Sequence, residues 1–459
     1  MERRVPLSAS PPLTAACRQP LPLAAIAGAA VWLLLGLAAL GRGGEAGWAQ
    51  GLVLLAGGIG AATIAAALTG RPLPRSLLAA GLLWLVICLW CLVQSLPLPA
   101  LAHPLWAEAA ATLSAITGQK AVPTGSIALD PHAARSDGLR LAAYAGLFAL
   151  GLALAQAGHA ARTLGITTVT VTLFAAAALL LVPDAHSTDP GKIRHAADAV
   201  FPFTNRNTFC AFAGAGLIVC LASLTAGGAR RWPLWLGMAV LCSAGVLAAH
   251  SRAGLAATAI GCATALMLNR PSRPVLFATL AAAAALAVLS LLTLTTLRLA
   301  EIGHDLPVRL AIWQASAAIA ADHFWLGLGS LDQALQMQPG DWGERHIRRA
   351  HNIYLQSVAE RGLPATMAAI AAILLCARHA WRAASPPDDT PSAPSATATK
   401  AAALGVLALF ASHGLVDFSL YAPVNAAILA LLLGLACGNA PPALPRPEAS
   451  ATNAPPSPF

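Results

Sequence analysis

Apolar stretches almost free of charge recur along nearly the whole chain, and they limit its fold more than any other feature. They fall at 22–40, 48–68, 76–96, 139–157, 163–182, 207–226, 233–249, 254–269, 275–296, 363–378, 401–416 and 423–438. The hydrocarbon core of a bilayer takes about 20 mostly apolar residues per helix. In lipid only helices and closed barrels satisfy their own backbone groups, and the alternating pattern of a barrel strand is absent. The reading is therefore an all-α, polytopic integral membrane protein with about twelve transmembrane helices. Charge usage agrees: 10% of residues are charged and 57% hydrophobic, where a soluble domain is about a quarter charged. Many glycines among the alanines and leucines let helices approach one another closely.

Arginine placement sets the orientation, because short cytoplasmic loops are rich in Lys and Arg. With the N-terminal tail 1–21 in the cytoplasm, the short connections holding Arg71 and Arg75, Arg162, Arg230 and Arg231, Arg270 and Arg273, and Arg378 and Arg382 become cytoplasmic. The first apolar run is too long for a signal peptide and reads as a retained first helix. The transmembrane domain then covers 22–438 and carries long outer connections at 97–138, 183–206 and 297–362, the last of them helical. Segments 383–400 and 439–459, rich in Pro, Ala, Ser and Thr, read as a disordered cytoplasmic linker and a disordered C-terminal tail. Eight of the nine cysteines sit in apolar runs, so no disulfide framework is implied, and Cys88 with Cys91 reads as small packing residues.

Positive features gather on the expected outer side. Arg252 stands in HSRAG between two spans, where it either snorkels or faces a polar cavity. Arg309 precedes an amphipathic stretch with Ile312, Trp313 and Ser316 at helical spacing, which suits a helix lying on the membrane surface. Gly327 and Gly329 mark a turn after it. Arg345, Arg348, Arg349 and His351 lead into Asn352, an expected N-cap, and a short helix stopped by Gly362. If the helical phase reaches back, His351 lies on the stripe of Leu355 and Val358. A histidine there is by default an interfacial hydrogen-bonding residue. The combination of residue types favours chemistry instead: guanidinium forks bind phosphate oxygens and stabilise charge on a departing phosphate, and imidazole takes a proton from an attacking hydroxyl near neutral pH. Asp184, Asp189 and Asp198 near His186 and His195 match no metal-ligand pattern, and no GxSxG elbow occurs. The pattern reads as metal-independent group transfer from a lipid pyrophosphate, with no cofactor and no nucleic acid among its partners.

The stretches FTNRNTFCAFAGAGL (203–217), SRAGL (251–255), RLAIWQASAAIAADHFWLGLGSLDQ (309–333), AHNIYLQSVAERGLPA (350–365) and SHGLVDFSLYAPVNAAILALLLGLA (412–436) resemble, in this order, the O-antigen ligase and polymerase superfamily of GT-C type membrane glycosyltransferases. The resemblance covers roughly 200–437, the first five spans matching only in character. It implies a multi-pass enzyme of the bacterial inner membrane with its active site facing the periplasm. Its partners would be an undecaprenyl-pyrophosphate-linked glycan as donor, lipid A core or another glycan as acceptor, and the membrane lipids. Position by position, the essential histidine is His351, and the donor-holding arginines are Arg252 and Arg309. Arg348 and Arg349 add supporting charge, Asn205 and Asn207 orient the loop or touch sugar, and Asn352 and Tyr354 join the substrate-binding candidates. Asp417 in the VDFSLYAP turn reads as structural. The expected function is O-antigen ligation to lipid A core, with polymerisation on the same donor as the alternative. Transport of lipid-linked glycan fits less well, because the spans carry almost no charge at their centres.

Overall fold

The computed structural model describes residues 22–67, 73–121, 125–181, 199–226, 232–274, 276–277, 281, 307–337, 347–382 and 393–438. Among them every regular element is helical. The helices are α1 (Pro22–Leu40), α2 (Gly47–Ala67), α3 (Arg75–Gln94), α4 (Leu105–Thr117), α5 (Pro131–Gln156), α6 (Ala160–Leu180) and α7 (Arg206–Thr225), then α8 (Trp232–Ala248), α9 (Arg252–Asn269), α10 (307–322), α11 (Leu331–Met337), α12 (Ile353–Arg382), α13 (Ala393–His413) and α14 (Pro423–Gly438). Eight are long and apolar enough to cross a membrane, and α8 and α14 are shorter apolar helices. Every apolar run of the sequence lies largely within one of these helices except 275–296, most of which falls outside the described residues, as do the tails 1–21 and 439–459.

Packing follows side-chain size. A Cβ placed on Gly57 or Gly60 of α2 would strike the backbone of α5 at Ala143 or Gly146, and one on Gly434 of α14 would strike α5 at Phe148. Backbones in contact are the usual way membrane helices gain dispersion without a hydrophobic driving force. α5 thereby becomes the post against which α2, α3 and α14 stand, while α7 and α9 pack with α13. α7 is the most enclosed span, with 83% of its apolar window buried. Leu33, Leu82, Val86, Leu180 and Leu236 are exposed, as residues facing lipid should be.

The long connections are structured where described. α5 starts at Pro131, capped by Asp130, whose carboxylate accepts from the Ala133 amide at 2.9 Å. Its first turns are polar and precede the apolar run. α10 is amphipathic, burying Ile312, Ser316, Ile319 and Ala320 on one face. α12 is broken at Gly362 (φ 80°, ψ 161°), two residues before Pro364, a backbone region open in practice only to glycine. The break frees carbonyls that the WLGLGS turn takes up: Leu328 N–H donates to Ala359 O at 2.9 Å and Gly329 N–H to Glu360 O at 2.8 Å. Gln94 donates its amide to Glu360 O and Leu326 O. The two glycines therefore dock this turn on α12.

One expectation is corrected. The stretch 383–400, read as a disordered linker, is helical from Ala393 onward. The prolines of the segment stand at or before the first turn, where a missing N–H costs nothing. The following SATATKAAAL is rich in alanine, and Ala398 and Thr399 are buried.

Candidate active site

Several helix ends meet at one end of the bundle. α7 begins behind Asn205, whose side chain accepts from the Asn207 amide at 2.7 Å. α9 begins behind Ser251, whose Oγ accepts from the Gly254 amide at 3.1 Å. α12 begins behind Asn352, which accepts from the Tyr354 and Leu355 amides at 3.0 Å each, as its N-cap assignment requires. The positive ends of three helix dipoles thus border one region. Facing them is the loop 414–422 between α13 and α14, tied to α12 through Ile353 N–H to Gly414 O at 2.8 Å.

Asp417 occupies the centre of that loop with no exposed side-chain surface. Asn207 Nδ2 donates to its Oδ2 at 2.6 Å and the Phe418 amide to its Oδ1 at 2.7 Å. Ser251 Oγ in turn donates to Asn207 Oδ1 at 2.7 Å. Burial works against the charge on Asp417, yet the nearby His351 and His413 and the Phe418 amide hold its carboxyl below the ordinary carboxylate range. His351 Nδ1 stands 3.9 Å from Asp417 Oδ2, too long for a hydrogen bond but close for charge attraction. That nitrogen is buried and has no hydrogen-bond partner, and the ring packs edge-on against Phe418 with centroids 4.9 Å apart.

The helical phase does not reach back to His351. The residue sits at φ 50°, a left-handed conformation uncommon outside glycine, because the chain must turn before Asn352 can cap α12. Its imidazole leaves the Leu355 and Val358 stripe and points at the Asp417 loop. The Trp313 indole N–H donates to its carbonyl at 3.4 Å, so α10 braces the turn.

Arg309 donates through Nη1 to Val416 O at 3.0 Å, next to Asp417. One bond leaves the remaining guanidinium donors for other acceptors. Arg252 is exposed as the first residue of α9, and its neighbour Ser251 belongs to the Asp417 network. Arg309 and His351 are thus held at one loop, while Arg252 follows Ser251, which reaches Asp417 through Asn207. Arg349 instead lies over the Tyr421 ring, 4.5 Å from its centroid, and Arg348 is exposed. Asn207, expected to orient the loop or touch sugar, bonds Asp417 and Ser251, and the substrate-binding candidates Asn352 and Tyr354 spend polar atoms on the frame: Asn352 Nδ2 donates to Leu415 O and the Tyr354 hydroxyl to Ala411 O.

The same loop joins a second polar cluster. The Tyr421 hydroxyl donates to buried Glu360, which also accepts from Gln356 Nε2 at 2.9 Å and lies 3.8 Å from Arg361. Arg361 pairs with Asp137 at 2.9 Å, and Arg140 pairs with the same carboxylate. No motif in the sequence signals this cluster, whose members come from α5, α12 and the Asp417 loop.

Residues 237–370 match the family model described as O-antigen ligase. Over that segment the chain is similar to the O-antigen ligase and polymerase superfamily. No curated relative matches it. The matched segment holds Arg252, Arg309 and His351 but neither Asn207 nor Asp417, whose hydrogen bond lies outside it. The apolar helices of the chain make it a multi-pass membrane protein.

Proposed function

We propose that this protein transfers a glycan from undecaprenyl pyrophosphate to an acceptor hydroxyl at the periplasmic face of the bacterial inner membrane, acting as an O-antigen ligase on lipid A core. The observation that carries the reading is His351, turned by its left-handed backbone so that Nδ1 faces buried Asp417 at 3.9 Å beside the Arg309–Val416 bond. Nε2 is then the nitrogen left to meet substrate. As the acceptor oxygen forms its bond to the anomeric carbon, His351 takes the hydroxyl proton, and Asp417 stabilises the cation that results. The bond from that carbon to the pyrophosphate oxygen breaks, and the leaving group keeps the electron pair. Arg252 and Arg309 counter the charge it acquires. No step calls for a metal ion. Arg348 and Arg349 add supporting positive charge.

The test uses purified protein in proteoliposomes with a labelled lipid-linked glycan, with and without lipid A core. Wild-type protein should attach label to lipid A core, and His351→Ala should lose transfer while keeping its thermal stability in detergent. Label accumulating as longer lipid-linked glycan without lipid A core would assign the polymerase reaction on the same donor. Full transfer by a stable His351→Ala variant would end the catalytic assignment.

A further inference from the structure

A cavity of about 430 Å³ lies between α3, α5, α12 and α14, on the other side of the first turns of α12 from His351. Ile353, Ser357 and Arg361 line it at four-residue intervals, one face of α12, whereas Asn352 and Tyr354 bond toward α13 and its loop. Asp137, Arg140, Arg361 and Tyr421 line one end. Below them the walls are hydrocarbon and aromatic, with Trp84, Tyr144 and Phe148 among them. The lining positions on α5 run from Asp137 to Leu152, about 22 Å of helix at 1.5 Å per residue. That is most of a hydrocarbon core about 30 Å thick. The space is open: a Cβ on Gly81, another lining residue, would meet no atom within 4 Å.

The polar rim decides which lipid belongs there. Two guanidiniums share the single carboxylate of Asp137, and the buried Arg361 Nε–H has no hydrogen-bond partner. Glu360, close by, is already engaged by Tyr421 and Gln356. Glu360, 3.8 Å from Arg361, balances the second guanidinium, so what the rim lacks is an acceptor for Arg361 Nε–H, which a phosphate oxygen would supply. The rim also leads to the site, since Tyr421 lies under Arg349 and four residues beyond Asp417 in the same loop.

We infer that this cavity holds the hydrocarbon chain of the lipid-linked donor, whose phosphate end crosses the rim at Arg140 and Arg361 and passes Tyr421 to reach His351. The inference rests on the function proposed above. It gives a task to α3, α5 and α14, which the family match does not cover.

The experiment uses full-length protein in nanodiscs with a polyprenyl diphosphate bearing a diazirine in its chain, and in parallel a phosphatidylglycerol bearing one in an acyl chain. Labelled residues are mapped by mass spectrometry. The polyprenyl probe should label cavity positions such as Ala145, Ala149 and Leu429. Gly81→Phe, and independently Ala149→Phe, should cut that labelling and raise the donor KM with little change in kcat. Displacing two buried methylenes corresponds to roughly tenfold weaker binding. Labelling confined to other helices, or cavity labelling by phosphatidylglycerol that the polyprenyl probe does not displace, overturns the inference. His351→Ala separates the two proposals: lost transfer with cavity labelling intact supports both. Retained transfer with cavity labelling intact sinks only the role of His351, and lost transfer with labelling elsewhere sinks only the cavity.

Discussion

Exchanging the side chains of Asn207 and Asp417 separates the frame of the site from its chemistry. In the native arrangement Asn207 Nδ2 donates to Asp417, Ser251 donates to Asn207 Oδ1, and the Phe418 amide donates to Asp417. Asp417→Asn alone keeps the Phe418 bond but sets one amide nitrogen against another, losing a buried charge-assisted bond of about 1.5–3 kcal/mol. Asn207→Asp alone brings two carboxylates together where both cannot stay ionised. The double variant matches every donor to an acceptor again. The carboxamide now at position 417 donates to the carboxylate now at position 207, Ser251 donates to the other oxygen of that carboxylate, and the Phe418 amide finds the carboxamide oxygen. Thermal stability in detergent should return to within about 1 kcal/mol of wild type, so the cycle should show strong coupling. Activity should not return, because the carboxylate has moved away from His351. At an effective dielectric of about 20, lengthening that separation from 3.9 Å to roughly 6 Å removes about 1.5 kcal/mol of attraction for an imidazolium, roughly tenfold in rate. The assay is initial transfer rate at saturating donor, beside a melting curve for each variant. A double variant as fast as wild type would refute the claim that Asp417 acts on His351 by charge, and one as unstable as the single variants would refute the hydrogen-bond scheme.

Two further outcomes follow from the regions around the site. Gly362→Ala should destabilise the protein by at least about 1–3 kcal/mol, the cost of a side chain in that backbone region, since its Cβ would also meet the Trp325 carbonyl; a melting temperature equal to wild type would contradict the reading of the break. His103 Nε2 lies 3.3 Å from His323 Nε2, joining the segment before α4 to the end of α10, with Glu108 and Asp322 acting on the pair from nearby. Burial lowers the pKa of both imidazoles, and facing His323 lowers that of His103 further. A base whose folded-state pKa is lowered favours the unfolded state once it gains a proton. The contact is therefore intact above the ordinary histidine value of about 6.5 and weakens as pH falls below it toward the lowered folded-state values. Hydrogen-exchange protection of residues 99–104, corrected for the intrinsic pH dependence of exchange, should fall on acidification in wild type but not in His103→Phe, and an equal fall in both would exclude the pair as the cause.

The features legible in the sequence are those that a span or a cap imposes locally. An uncharged run long enough to cross a bilayer has little choice but helix, and Asn352 and Gly362 announce a start and a break through their own side chain or lack of one. Arg252, Arg309 and His351 stand out in the sequence as a set because few chemistries need guanidiniums beside one imidazole, and the structure brings Arg309 and His351 to the Asp417 loop. Asp417 is not, since its meaning depends on Asn207, 210 positions away, and a single chain gives no sign of such a pairing. The orientation of His351 is hidden for a related reason. Extending the helical stripe backward assumes the phase continues, whereas an N-cap requires the residues before it to leave the helix. The Asp137, Glu360, Arg361 and Tyr421 cluster is equally silent because each charge, read alone, looks like an ordinary span end.

These distant partners bear on how much of the chain the proposed reaction needs. Residues 237–370 carry the histidine and the arginines, yet within that segment nothing described fixes the imidazole against a carboxylate. Asp417 supplies the charge, Asn207 and Ser251 hold Asp417 in place, and α13 with its following loop holds the start of α12 through Ala411 and Leu415. Ser251 alone of these lies inside the matched segment. The α3, α5 and α14 walls that enclose the adjoining cavity lie outside it as well. A shorter chain could keep every residue of the matched motif and still lose the geometry that lets those residues act together, because a site at helix ends is only as well defined as the packing of the helices that end there.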